Sequence, residues 1–323
     1  MLACLLLLGL LGQPTHAVQV MGLQSPHSFL ADPTGKAYFI SNVNGEPEAR
    51  DNNGFITKLD NEGKIVTLKF IAGGDGSVEL NAPKGMALVD QMLYVVDLDQ
   101  LRGFDKNTGK PMVTVTLASQ GKAPHSHIAL TDVATNGQGL LYLSDQAGNT
   151  IYRVDAAHQH AVSVFVHDER LAGPSGVAVH PKSGHIIVVS WDKGKILDIT
   201  PQGVLTELVS NGFFSSRFEH LSGVDFDRWG NMYVSDQTRG KIWRMTPDKR
   251  FQVIAEYLLS PADISIDRGN NLILVPYQHA HAAEMNGLES PSQPKAKDQR
   301  RTLADYGFVP PPPKPQPEAP AKR

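Results

Sequence analysis

Apolar residues in this chain fall in short runs, paired across Gly, Asn or Asp turns, and the pairing recurs as a phrase. The phrase is a short turn, often Pro-x-Gly, then an apolar strand, a tight turn and a second apolar strand. Pro83-Lys84-Gly85-Met86 leads into Leu93-Tyr94-Val95-Val96-Asp97. Pro174-Ser175-Gly176-Val177 leads into the run from Ile186 to Ser190, and Leu221-Ser222-Gly223-Val224 into Met232-Tyr233-Val234-Ser235-Asp236. Weaker copies start at Pro26-His27-Ser28-Phe29, Leu130-Thr131-Asp132-Val133 and Pro261-Ala262-Asp263-Ile264. The second residues of the phrases stand at 27, 84, 131, 175, 222 and 262, a period near 45. Paired short strands at that period predict a β-propeller with one blade per repeat.

Each repeat continues past its first two strands. After Asp145 come Thr150 to Val154 and Ala161 to Val166; after Asp236 come Lys241 to Met245 and Phe251 to Ala255. The pattern predicts four strands per blade. The last repeat is short, with only His281 to Met285 left as a third strand after Val275. Val18 to Met21 is predicted to supply the fourth, so that the N-terminal strand closes the ring and removes its exposed edges. The fold class is therefore all-β, a six-bladed β-propeller over residues 18–286. This overrides the two-domain prior that 323 residues suggest, because a blade cannot bury its faces alone.

The flanks differ from the repeats. Leu5 to Leu11 is apolar, and Thr15-His16-Ala17 suits cleavage before Val18, so residues 1–17 read as a signal peptide. That run is short of the roughly 20 apolar residues of a membrane span. Cys4 is the only cysteine and precedes the cleavage site, so a mature chain has no disulfide and no thiolate metal site. Export to the periplasm, or secretion, is the expected location. Residues 287–323 are rich in Pro, Lys, Gln and Ala and read as a proline-rich, disordered tail, either solvated or docked to an envelope protein. A net charge of −3 and a pI near 6.5 give no basic stripe, which excludes nucleic acid as the expected partner. A monomer is expected, with a small molecule or an envelope protein as its partner.

Pro174-Ser175-Gly176-Val177-Ala178-Val179 and Gly230-Asn231-Met232-Tyr233-Val234-Ser235-Asp236 resemble NHL repeats. They are also similar to the senescence-marker-protein/gluconolactonase group and its paraoxonase relatives. The stretch from Asn81-Ala82-Pro83-Lys84-Gly85-Met86 to Arg102-Gly103-Phe104-Asp105 resembles exported bacterial members of that broad group. The resemblance covers about residues 20–285. It implies six blades but no particular chemistry, since these groups share a fold and differ in function.

In such a fold the segments entering the inner strands share one face, the top, with the loops between second and third strands. The turns Asp32-Pro33-Thr34-Gly35, Asn136-Gly137-Gln138-Gly139 and Asp227-Arg228-Trp229-Gly230 fall at the bottom and read as hairpin chemistry. The top collects the loop from Asn44 to Asn53, Pro124-His125-Ser126-His127, His220 and Tyr277-Gln278-His279-Ala280-His281. The residue opening each inner strand points to the channel, giving a ring of His27, Lys84, Thr131, Ser175, Ser222 and Ala262. Lys84 and His27 are donors, which favours an anionic or hydroxyl-rich ligand such as an organic acid.

The gluconolactonase resemblance implies a divalent metal held by Glu, Asn and Asp at ring positions. Here His27 stands in the place of that Glu, 15 residues before Asn42, with Thr131 or Ser175 for the Asn and Ser222 for the Asp. This ring lacks the oxygens a hard cation wants, and no cofactor is expected. Thr131-Asp132 is similar to the Asn-Asp step that holds calcium in paraoxonase-like propellers. Asp132 and Asp263 therefore either cap backbone N–H groups or share one calcium. The pairs His125/His127 and His279/His281 alternate along chain read as extended, and are either turn histidines or a transition-metal pair. The chain has no HExxH, GxSxG or glycine-rich phosphate loop. The expected function is non-catalytic binding on the top face. The alternatives are a divergent metal-dependent lactonase or esterase, and a scaffold acting through its tail.

Overall fold

The computed structural model describes residues 18–117, 126–210 and 217–288. Residues 1–17, expected to be a signal peptide, and nearly all of the expected tail from 287 onward lie outside the described residues, as does His125. The described chain forms six four-stranded antiparallel sheets. Blade 1 is β2 (Pro26–Ala31), β3 (Tyr38–Asn42), β4 (Phe55–Leu59) and β5 (Ile65–Ala72). Blade 2 is β6 (Pro83–Val89), β7 (Met92–Asp97), β8 (Gln100–Asp105) and β9 (Pro111–Thr116). Blade 3 is β10 (Leu130–Thr135), β11 (Leu140–Asp145), β12 (Thr150–Asp155) and β13 (Ala161–His167). Blade 4 is β14 (Pro174–Val179), β15 (Ile186–Ser190), β16 (Ile196–Ile199) and β17 (Leu205–Val209). Blade 5 is β18 (Leu221–Phe226), β19 (Met232–Asp236), β20 (Lys241–Met245) and β21 (Phe251–Ala255). Blade 6 is β22 (Ser265–Asp267), β23 (Leu272–Tyr277) and β24 (Ala282–Gly287), completed by β1 (Val18–Met21).

The inner strands pack side by side in blade order, and β22 meets β2 to close a six-bladed propeller. The core sits between blades. One cluster joins Tyr94, Val96 and Leu101 of blade 2 to Leu130, Leu143 and Val154 of blade 3; another joins Ile187 and Val189 of blade 4 to Val224 and Val234 of blade 5. Each second strand is buried on both faces, which is why its sequence is a continuous apolar run.

Near the axis the inner strands crowd, and this explains the Gly of the phrase. A Cβ on Gly176 would fall 2.5 Å from the Ser222 carbonyl oxygen of the next blade. A Cβ on Gly85 or Gly223 would meet Asp132 or Asp263 in the same way. At the same place the pairing register jumps, between Pro26 and Phe29, Pro83 and Met86, Leu130 and Asp132, Pro174 and Val177, and Leu221 and Val224. These are β-bulges, and a bulge turns its extra residue out of the pleat. Here it aims the ring residues at the channel.

Blade 6 departs from the repeat. β23 contains Pro276, which has no N–H for a ladder. The incoming chain makes one bond to it, from Ala262 N to Pro276 O at 3.0 Å, and then crosses to blade 1, with Asp263 N donating to His27 O at 2.9 Å. The regular inner strand therefore starts only at Ser265. The third strand runs from Ala282 to Gly287 instead of His281 to Met285, because Gln278–Ala280 is a 3-10 turn and His281 takes left-handed backbone at φ 52°. The extended reading of the His279/His281 segment is thus corrected. His281 Nδ1 accepts the Ser25 N–H at 3.0 Å and anchors the segment after β1.

Candidate functional site

The top-face loops enclose a cavity of about 770 Å³ over the channel mouth. His27, Lys84, Thr131, Ser175 and Ser222 all line it, together with Asp132. Ala262, the sixth ring residue, is fully buried and does not. Of the top-face histidines, His279 lines this cavity. His127 lines a side pocket of about 250 Å³ that shares Pro47, Glu48 and Lys84 with it.

The ring residues are not equivalent. The Thr131 hydroxyl lies 2.9 Å from the Ser144 hydroxyl and 3.2 Å from the Pro174 and Ser175 carbonyls. Ser175 Oγ donates to Leu221 O at 2.6 Å. Both hydroxyls therefore stitch a blade to its neighbour, and their protons are spoken for. Ser222 Oγ makes no hydrogen bond to a described residue. His27 Nδ1 is buried without a partner. Burial, and then the Lys84 charge, depress the His27 pKa to about 3, so the ring is neutral at physiological pH. Lys84 is 8 % exposed and has no ion-pair partner among the described residues. Burial lowers its pKa, opposed by the charges of Glu48 and Asp97.

The two buried acids of the ring face the blade seams. Asp132 Oδ1 accepts the Val133 N–H at 2.7 Å, and Oδ2 accepts the Val177 N–H of the next blade at 2.8 Å. Burial and then the Asp263 charge raise its pKa well above the carboxylate range. Burial raises that of Asp263 to about 7, against a hydrogen bond with Ser28. Both Asp132 oxygens cap backbone N–H groups, the capping role expected for this residue, and the Lys84 amine opens into the same cavity. Among the described residues no group of three His, Cys, Asp or Glu is placed to hold a metal.

A second tier sits above the ring, which reasoning from the ring phrase alone overlooked. It is the residue just after each second strand: Val43, Leu98, Gln146, Trp191, Gln237 and Gln278, one per blade. Leu98 lines the side pocket and the others the main cavity. Their backbone is pinned to the segment entering the inner strand, as in Gln146 N to Ala129 O at 3.0 Å and Trp191 N to Gly173 O at 2.8 Å. The signal was available, since these residues share the period of the ring. Trp191 stacks on His220 at 4.7 Å, and Gln237 donates to Ser260 Oγ and Gln278 Oε1. Asp97, Asp145 and Asp236, which end the second strands, cap the backbone N–H groups of the entering segments.

No family model matches the chain, and no curated protein matches it. Solved structures do. Virginiamycin B lyase from Staphylococcus aureus superposes with a TM-score of 0.60 at 14% identity, over 85% of this chain and 99% of that one. A protein of unknown function from Bacteroides thetaiotaomicron gives 0.62 at 14% identity, over 85% and 77%. A streptogramin B lyase gives 0.58 at 14% identity, over 84% and 97%. The chain shares their fold, the six-bladed propeller. At this identity the likeness speaks to architecture alone.

Proposed function

We propose that the protein binds a small organic anion in the top-face cavity, without catalysis, and that Lys84 is the charge that holds it. The observation that carries the reading is a nearly buried amine opening into the cavity with no ion-pair partner among the described residues. Such a group is costly without a counter-charge, and an anionic ligand supplies one. Ser222 Oγ and the unpartnered His27 ring line the same cavity and offer further polar contacts. Thr131 and Ser175 contribute shape and not donated protons. The location outside the cytoplasm rests on the Leu5 to Leu11 run and the Thr15-His16-Ala17 cleavage site, and finding Val18 as the mature N-terminus would bear it out.

The test is a thermal-shift screen of organic acids on the wild type and on Lys84→Met. Ligands should stabilise the wild type as RT ln(1 + [L]/Kd), and the variant should lose most of the shift. An acid shift that persists unchanged in Lys84→Met would overturn the reading. His27, with a pKa of about 3, should contribute nothing to the pH dependence of binding between pH 5 and 8. Binding should weaken at a pH below that at which an ordinary lysine deprotonates, because the Lys84 pKa is lowered.

A second reading is catalytic. Two of the like-folded proteins are named as lyases, and the unpartnered His27 ring lines the cavity. Turnover of cyclic esters or lactones that His27→Gln abolishes would favour it over binding alone. Loss of the same turnover on chelation would instead favour the metal-dependent lactonase.

A further inference from the structure

The cavity is polarised across the ring. Its cation belongs to blade 2 and the unpartnered imidazole to blade 1. The far side, over blades 4 to 6, sets Trp191, Leu258 and Leu259 among polar residues such as Gln237, Ser260 and Gln278. Leu258 and Leu259 line the cavity on the segment that leads into blade 6, and Leu259 is 66 % exposed. Beside them Tyr257 is 90 % exposed and sits in left-handed backbone at φ 63°, a strained geometry for a bulky residue. The segment is held in place: Leu258 N donates to Gly240 O at 3.0 Å, and Gln237 Nε2 donates to Ser260 Oγ at 2.7 Å. Trp191 of blade 4 faces the same space. Three large apolar or aromatic side chains are thus presented at the mouth of a polar-floored cavity.

Size points the same way. About 770 Å³ falls in the range of sites for drug-sized ligands, far more than a two-carbon acid fills. We propose that the ligand is an amphipathic acid. Its acid group lies at Lys84, and its apolar or aromatic body crosses the mouth to lie against Leu259, Leu258 and Trp191. This rests on the anion-binding reading of the same cavity and names the class of anion. Covering the exposed leucine is favourable in proportion to the apolar area removed from water.

The experiment titrates acetate, hexanoate, 3-phenylpropionate and 3-phenylpropanol calorimetrically into the full chain, wild type and Leu259→Ser. Leu259 is exposed, so its replacement leaves the core intact. The expected result is that both longer acids bind at least about tenfold tighter than acetate, and that Leu259→Ser removes most of that difference while leaving acetate unchanged. Equal affinities for acetate and the longer acids would overturn the amphipathic ligand and leave the anion reading standing. 3-Phenylpropanol binding as tightly as 3-phenylpropionate would overturn the acid group. Failure of every acid to bind would bring down both.

Discussion

His27 and Asp263 illustrate how opposite burial costs can be told apart by pH. The pKa of His27 is about 3 in the folded protein, against 6.5 as the reference. Below 6.5 the unfolded chain binds a proton that the folded one refuses, so the penalty grows as pH falls and is complete near 3. Asp263 has the reverse sign. Its folded pKa of about 7 lies above 3.8, so the folded state holds its proton longer, and the stability this confers is lost as pH rises from 3.8 to 7. His27→Gln should therefore gain on the wild type only below pH 6.5, increasingly toward 3. Asp263→Asn should gain progressively between pH 4 and 7 and not below. Each gain is at most about 4–5 kcal/mol, before relaxation of the site reduces it. Urea unfolding at pH 4 and 7 measures both, and a gain at the opposite pH would refute the assignment. The identities of these ring residues were legible from the phrase, and so was their convergence on one mouth. Which of them keep a free group was not. The Ser175 proton goes to Leu221 O, 46 residues on, a pairing that only the curvature of the ring creates.

At the scale of the element, the bulges opening the inner strands of blades 1, 3 and 5 are each held by a serine hydroxyl of the second strand. Ser235 Oγ accepts the Gly223 N–H at 2.8 Å and donates to Ala262 O of the next blade at 2.6 Å. Ser144 Oγ does the same for Asp132 N, at 3.0 Å, and for the Ser175 carbonyl. Ser235→Ala should cost about 1–3 kcal/mol, because it leaves a buried N–H and C=O short of a partner. Calorimetry should show a lower Tm for it, and Gly223→Ala should be worse, because its methyl meets Asp263 and the Ile264 backbone. An unchanged Tm for Ser235→Ala would mean that the bulge holds without its hydroxyl. Strand existence was legible here because period and turn residues agree. The exceptions gather in blade 6. Pro276 was visible in the sequence, but its consequence was not. The inner strand had to surrender its first residues to blade 1, and the later start of the third strand followed from the turn at Gln278–Ala280. The bottom turns read as hairpin chemistry behave so, with Asp227 collecting the N–H groups of Trp229 and Asn231 and the Tyr233 hydroxyl.

For the whole molecule the decisive contact joins the first strand to the last. β1 pairs with β24 in the register Val18 with Met285, Gln19 with Glu284, Val20 with Ala283 and Met21 with Ala282. Val20 is buried in a cluster with Phe29 and Tyr38 of blade 1 and Leu274 and Met285 of blade 6, so it belongs to the seam that makes the ring continuous. Deleting Val18 to Met21 removes that side chain from the core and turns β24 into an open edge. The loss should be about 3–5 kcal/mol, seen as a lower Tm and as faster hydrogen exchange over residues 282–287. Val20→Ser separates the two contributions, because it keeps the ladder and damages only the packing, so it should cost less than the deletion. β1 is the outermost strand of its blade, while the cavity is built at the inner ends, so ligand binding at low temperature should survive in both variants. If the deletion left Tm unchanged, the meeting of β2 and β22 near the axis would be closing the ring on its own.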